Sequence, residues 1–390
     1  MPMADPYWSE FSFMRSPGTA SAANVLSCLS VAARCVALRS ELLASVPLHL
    51  YRRLPDGGRE RADDNALYGV LHDIANGLHN SFEFRELMVR SLDLMGNFFA
   101  RIELNARGQV TALWPIPHGD VTIDQLPSGR LRYRWFNGTR VEVLLQEEVL
   151  HVRGPSRDGV LGMSPIAIAR GSLQLALAHH DTAQNFSTNS LRPSGLLAYD
   201  QELKPAQSKQ IREALKNEYG GTVNAGKLLL ADGAAKYTPL SFSPEDAQFL
   251  ETRKLSNEDI ARIFGCPPTS VGLVDRSTYS NTEQESRSLV QNCIGPLAGR
   301  IEAAMQRCLL TDVGRRSYYI EHDLNGLLRG DVKSRFDAYR VGRECGVLSP
   351  NDVRQLENMP PIENGNVFNQ PANWARLGWN PPSGTGAPQQ

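Results

Sequence analysis

Apolar positions in this chain follow two rhythms, and the switches between them divide it. After Asn24, read as an N-cap, the stretch VLSCLSVAARCVALRSELLASVP carries apolar residues three and four apart and stops before Pro47, which predicts one helix. LHLYRRL follows with strand character, and FEFRELMVRSLDLM returns to helical spacing until Gly96. From NFFARIEL to about residue 153 the rhythm shortens. QVTALWPI, DVTID, LRYRWF, VEVLL and VLHVRG read as strands, separated by turn residues at Asn105–Gly108, Pro117–Gly119 and Asn137–Gly138.

Helical spacing then resumes. Ser164 followed by Pro165 is an N-cap with proline at the first helical position, and no breaker intervenes before about Arg192, which predicts on the order of 40 Å of helix at about 1.5 Å per residue. A compact α/β unit comes next: strand SGLLAYD, a helix from Lys204 to Tyr219, a glycine stretch, then strands KLLLAD and AKYTPLSF. Ser243-Pro244-Glu245-Asp246 opens a further helix with a capping-box pattern, ended by Gly265 and the pair Pro267-Pro268. The loop VGLVDRSTYSN leads to a helix capped by Ser280 with Glu283 and running to about Leu310. Pro296 falls inside it and predicts a kink, because it offers no N–H to the carbonyl of Asn292. Residues 1–22 and the tail GWNPPSGTGAPQQ lack core-forming patterns and are expected to be flexible.

Composition changes the picture by exclusion. In 390 residues, 41% hydrophobic and 21% charged side chains are ordinary for a folded soluble protein. Lys+Arg 41 against Asp+Glu 42 leaves a net charge of -1, unlike the strongly basic surface that grips nucleic acid through many phosphate contacts. Cys28, Cys35, Cys266, Cys293, Cys308 and Cys345 form no C-x-x-C pair and lie at no zinc-ligand spacing, so reduced, buried thiols and no metal site are expected. The N-terminus has no basic start followed by an apolar segment, and no apolar run reaches membrane-spanning length. A soluble protein made inside the cell, with no membrane partner, is expected.

The candidate chemistry is thin. Gly221 to Lys227 spells G-x-x-x-x-G-K, most of a phosphate-binding loop. Such a loop follows a strand, precedes a helix, and ends in Ser or Thr to hold Mg²⁺. Here it follows a helix, precedes a strand, and has Leu228 where the hydroxyl is needed. His179-His180-Asp181 sits within a helix, where neighbours diverge by about 100° and cannot serve one metal. With no G-x-S-x-G and no H-E-x-x-H, the expectation is no enzyme and no cofactor.

Five runs appear in an order that resembles one family. They are GMSPIAIARGSLQLALAHHDTAQNFSTNSLRPSGLL (162–197), FLETRKLSNEDIARIFGCPPTSVGL (249–273), STYSNTEQ (277–284), IGPLAGRIEAAMQRCLL (294–310), and HDLNGLLRGD with GVLSPNDVRQLENMPPI. The sequence thereby resembles the portal, or head-to-tail connector, proteins of tailed bacteriophages and gene transfer agents, over nearly all of 24–370. The resemblance implies an α+β portal-type fold. A β-rich and helical wing would occupy 23–162, stem helices 163–192 and 243–265, and a small α/β clip 193–242. A tunnel loop would span 266–282, a long kinked helix and a strand returning to the wing 283–328, and a helical crown 329–362, between flexible tails 1–22 and 363–390.

The resemblance also implies a function: a homo-oligomeric ring, a dodecamer, at one capsid vertex of a virion made in a bacterial host cytoplasm. Double-stranded DNA would pass through it non-specifically during packaging and ejection. Terminase large subunit, a head-tail adaptor, and major capsid or scaffold protein would be its partners. In the tunnel loop, Asp275 and Arg276 offset one another, and Ser277, Thr278, Tyr279, Ser280 and Asn281 supply polar contacts without net charge. Arg276 and Tyr279 are the residues expected to touch DNA. Gly220, Gly221, Asn224 and Lys227 would sit in the partner-binding clip. Two readings of the first stem helix stay open: Ala167, Ala169, Leu173, Ala176, Leu177 and Ala183 would face a neighbouring subunit or one subunit's own core. The alternative function is a DNA-binding regulator or adaptor using the helix pair in DVKSRFDAYRVGRECGVLSPNDVRQLENM, although Asp352 and Glu357 against Arg354 make its second helix acidic.

Overall fold

The computed structural model describes residues 21–55, 57–189, 195–199, 235–239, 255–273, 285–328, 332–357 and 359–368. They fall into two compact units, 1–324 and 325–390. Among the described residues no single helix is long and apolar enough to cross a membrane.

The first unit opens with α1 (Ala22–Cys28) and α2 (Ser30–Ser45), bent by 105° where one continuous helix was expected. The cap is Ser21, whose hydroxyl accepts the Asn24 N–H at 3.2 Å, so Asn24 lies inside the helix. Leu29 adopts extended backbone angles, and the bend lets Val25 on one segment and Ala32, Cys35 and Leu43 on the other all reach the core. Helical periodicity alone does not register one extended residue between two helical runs.

Strand β1 (Leu48–Arg53) pairs with β2 (Arg59–Arg61), which is followed by α3 (Ala66–His72); β2 and α3 carry no clear period. Helix α4 (Ser81–Met95) packs on α2. Its first turn closes as a capping box, with Asn80 Oδ1 accepting the Glu83 N–H at 2.8 Å and Glu83 Oε2 accepting the Asn80 N–H at 3.0 Å. Gly96 ends it at φ +81°, a left-handed conformation that favours glycine.

The period-two region forms two three-stranded antiparallel sheets. In one, β3 (Asn97–Leu104) lies between β4 (Val110–Ile116) and β8 (Val149–Arg153). In the other, β6 (Leu131–Phe136) lies between β5 (Val121–Gln125) and β7 (Val141–Leu145). They stack through Phe99, Ile116 and Val149 of one against Tyr133 and Leu144 of the other.

Helix α5 (Pro165–Ile168) is capped by Ser164, whose Oγ accepts the Ala167 N–H at 3.0 Å. The helix expected to run unbroken is interrupted at Ala169 before α6 (Arg170–Asn189). Strands β9 (Gly195–Tyr199) and β10 (Ala235–Pro239) form an antiparallel pair. Helix α7 covers 255–263. The expected kink takes the form of a wide turn: Leu289–Ile294 is π-helical, and the Gly295 N–H reaches back five residues to the Val290 carbonyl, just before Pro296 enters α8 (Gly295–Leu309). After α9 (Gly314–Ser317), β11 (Tyr318–His322) pairs with β1 over Leu48↔His322 to Arg52↔Tyr318.

The second unit holds α10 (Asn325–Leu328), α11 (Val332–Glu344) and α12 (Pro350–Leu356). Glu357 ties the last two together, accepting from Arg335 Nη2 at 3.0 Å and from the Tyr339 hydroxyl at 2.8 Å.

Candidate functional site

Arg276, Ser277, Thr278, Tyr279, Ser280 and Asn281 lie outside the described residues, and so do Gly220, Gly221, Asn224 and Lys227 in the chain between β9 and β10. What the structure does describe is how the chain is held on both sides of 274–284.

On the leading side, Ile260, Ala261 and Phe264 are buried, which fixes the end of α7 in the core. Gly265 turns the chain at φ +70°. A short 3₁₀ turn over Pro268–Val271 follows, capped by Gly272 at φ +85°. On the trailing side, the Thr269 hydroxyl donates to the Glu285 carboxylate, joining the 3₁₀ turn to the start of the helical run 285–294. Leu289, Val290, Cys293 and Ile294 then bury the wide turn.

The centre of this anchor is the carbonyl of Phe264. It sits at the end of α7, where helix carbonyls lack intrahelical donors. Three side chains supply them: Arg39 Nη1 on α2 at 2.5 Å, the Cys293 thiol of the wide turn at 3.8 Å and, from two residues further along, the Cys266 thiol at 3.9 Å. Arg39 also donates through Nε to Asp93 Oδ2 on α4 at 2.8 Å and through Nη1 to Cys293 Sγ at 3.3 Å.

The Arg39–Asp93 pair is almost fully dry, with the two side chains 13% and 2% exposed. Burial disfavours the charge on Arg39, but Asp93 and the neighbouring thiols outweigh it and hold the guanidinium protonated. Burial pushes the Asp93 carboxyl up, and Arg39 opposes that. A dry pair of this kind contributes less to net stability than to fixing which elements meet, while removing one partner strands the other charge. The sequence reading missed this site. Its only signal is Asp93 within the apolar run LDLM, a carboxylate on a face that must be buried.

Among the described residues no group of three or more His, Cys, Asp or Glu side chains could hold a metal ion. The cysteines are free, but only Cys35, Cys266 and Cys293 are buried; Cys28 and Cys308 are half-buried and Cys345 is exposed. On α5 and α6, Leu173, Ala176 and Leu177 are buried within the chain itself, while Ala167, Ile168 and Leu175 are exposed. Part of the apolar stripe is therefore intrachain core, and part faces outward.

A family model described as phage portal protein matches residues 30–358. The chain is 32% identical over 355 residues to the portal protein of Enterobacteria phage HK97, covering 90% of this chain and 83% of that one. It is 28% identical over 360 residues to the probable portal protein of Streptomyces phage phiC31, covering 89% and 78%. A chain from the neck of a native gene transfer agent particle, computed with C12 symmetry, shares the fold: TM-score 0.60 at 23% identity, over 87% of this chain and 93% of that one. The mixed helix-and-sheet architecture with short antiparallel sheets is thus that of a known class of virion proteins. The chain belongs to the phage portal protein family.

Proposed function

We propose that this chain is the subunit of a portal ring, a dodecamer set at one capsid vertex of a phage or gene transfer agent virion, through which double-stranded DNA is packaged and ejected. The observation that carries the reading is its likeness to the HK97 portal protein over nine-tenths of the chain, together with the shared fold of a neck chain treated with twelve-fold symmetry. The anchor adds a physical reason. A loop that contacts moving DNA needs a fixed base, and the segments flanking 274–284 are held by a buried ion pair, a three-donor carbonyl and a direct hydrogen bond between its two sides.

In this reading Arg276 and Tyr279 touch DNA without reading bases, and Ser277, Thr278, Ser280 and Asn281 keep the loop polar. A net charge of -1 suits passage, since each neutralised phosphate adds affinity and a ring repeats every charge. Gly220, Gly221, Asn224 and Lys227 lie in the clip that meets the terminase large subunit and later a head-tail adaptor, and the wing meets major capsid or scaffold protein. The role is structural, with no catalysis and no cofactor.

The helix pair does not favour a DNA-binding regulator. Asp352 occupies the start of α12, where Ser349 and Asp352 cap one another's N–H groups at 2.7 and 3.1 Å, and Glu357 is bound into the pair. An acid at the end that would enter the major groove repels phosphate.

The test is mass and outline. The chain is 43.1 kDa, so twelve copies give roughly 0.5 MDa and a closed ring with a central hole by negative stain. A species that stays monomeric, even with capsid or scaffold protein added, would sink the reading.

A further inference from the structure

Both three-stranded sheets meet the end of α8 around a cleft of about 670 Å³, a volume in the range of sites that take small organic ligands. Part of its wall is aliphatic: Ile102 of β3, Leu131 of β6, Val149 of β8, and Leu309 and Leu310 at the end of α8. The rest of the lining is polar, and its charges are unevenly matched. Its two carboxylates are already engaged, Glu147 by Arg130 at 2.6 Å and Asp312 by Arg315 at 2.7 Å. Arg153 and Arg307 line the same cleft, and neither forms an ion pair with a carboxylate among the described residues. Asp158, whose charge favours that of Arg153, has its Oδ1 taken up by the Ser156 hydroxyl and the Val160 and Leu161 N–H groups.

Backbone carbonyls hold these two arginines in place. Arg307 Nη2 donates to the His151 carbonyl at 3.1 Å, and Arg153 Nη1 donates to the Gly159 carbonyl. A guanidinium carries several N–H donors in a fixed fork, so one such bond apiece leaves most of them for another acceptor. The two charges also oppose one another: burial first, then the charge of Arg307, pulls Arg153 below the ordinary arginine value. Like charges gathered beside an aliphatic wall, with the neighbouring acids committed elsewhere, are relieved by an anion placed between them.

We propose that this cleft binds an organic anion, a carboxylate attached to an apolar group, with the carboxylate between Arg153 and Arg307 and the apolar group against the aliphatic wall. The planar fork of a guanidinium matches a carboxylate. A bare inorganic ion would leave the wall unused, and a nucleic-acid phosphate brings no apolar body to it. The same chemistry is offered by a free organic acid and by the apolar C-terminal residue of a protein chain. The inference is independent of the ring reading.

The test is saturation-transfer NMR on the full chain with hexanoate as the probe. Hexanoate is expected to bind, and hexanamide and inorganic phosphate are each expected to displace it at least about tenfold less well than unlabelled hexanoate does, because one lacks the charge and the other the apolar group. Equal displacement by the amide overturns the role of the arginines, and equal displacement by phosphate overturns that of the wall; either sinks the proposal, as does no binding of hexanoate. The tripeptide acetyl-Ala-Ala-Leu with a free carboxylate distinguishes the sources: displacement at lower concentration than hexanoate supports the site with a chain end as its ligand, and displacement only at higher concentration supports it with a free acid. Arg153→Gln combined with Arg307→Gln is expected to weaken hexanoate about tenfold. Gln125→Glu, on an exposed lining residue where folding is not at stake, adds a repelling charge and is expected to weaken it several-fold. Parental affinity in folded samples of these variants places the binding elsewhere and overturns the assignment.

Discussion

Asn97 holds Gly162 by both of its backbone groups: Oδ1 accepts the Gly162 N–H at 2.8 Å and Nδ2 donates to the Gly162 carbonyl at 3.0 Å. The same Oδ1 faces His151 Nε2 at 3.1 Å, and His151 Nδ1 meets the Tyr133 hydroxyl at 3.1 Å. One buried side chain at the start of β3 thereby joins both sheets to the segment entering α5.

Backbone contact makes that junction intolerant. A Cβ at Gly162 would overlap the Gly96 carbonyl oxygen and the Gly154 backbone, both fixed in the same junction. Gly162→Ala is expected to destabilise by more than about 4 kcal/mol, the range of severe overpacking and strain, and to accumulate as insoluble protein. Asn97→Ala strands the Gly162 and His151 groups and is expected to cost roughly 2–4 kcal/mol in urea unfolding. A soluble Gly162→Ala chain with unchanged stability would refute the close approach.

The buried Arg39–Asp93 pair makes a different prediction. Arg39→Met or Asp93→Leu leaves one charge buried without its partner and is expected to cost about 3–5 kcal/mol. The double replacement Arg39→Met with Asp93→Leu removes both charges and is expected to recover most of that loss, because hydrophobic side chains of similar volume replace dry ion pairs at little cost. Thermal unfolding of the four proteins forms the cycle. Additive single losses with no recovery would mean that the pair is not coupled.

Thiol chemistry reports the same anchor without mutation. A hydrogen bond with Cys293 lowers the Cys266 thiol, but a hydrogen bond with Cys35 and burial outweigh it and push the group up to about 12. Cys293 is pushed up by its hydrogen bond with Cys266 and by burial. Since the thiolate is the nucleophile, a maleimide at pH 7.5 is expected to label exposed Cys345 first. Cys266 and Cys293 should react on the order of a thousandfold more slowly, through opening of the core. Equal labelling in a peptide map would contradict the buried anchor.

Strands β3 to β8 were legible because each is a short run rich in β-branched, aromatic or aliphatic residues and all but β7 meet Gly, Asn or Pro within two residues of their end, so local pattern and final pairing agree. Helix α4 was legible from its period and Gly96. The bend at Leu29 and the break at Ala169 were not, since single residues leave the apolar spacing on either side intact. Strand β2, with Arg59, Glu60 and Arg61 all exposed, has no period to detect and exists by pairing with β1. The anchor of Arg39, Asp93, Phe264 and Cys293 joins positions separated by more than 250 residues, a distance over which a single sequence carries no pairing signal.

Acid should loosen the first unit through its buried histidines. Burial first, then the positive charges of Arg153 and Arg307, push His151 down to about 3, and burial with Arg61 pushes His49 down to about 4. In the unfolded chain both titrate near 6.5, so between pH 6.5 and the folded values the unfolded state binds more protons. Stability is therefore full above pH 6.5 and falls as the pH drops through that window, by at most about 1.4 kcal/mol per pH unit for each histidine. His151→Gln is expected to be less stable at pH 7.5, because it cannot serve Tyr133 and Asn97 with the same ring geometry, yet to lose stability more slowly on acidification. Urea unfolding at pH 7.5, 6 and 5, where few carboxylates yet titrate, separates the two effects: the starting value reads the hydrogen bonds and the slope reads the proton. If the variant and the parent lose stability in parallel, His151 does not remain neutral in the folded chain, and the bridge from Tyr133 to Asn97 is wrongly assigned.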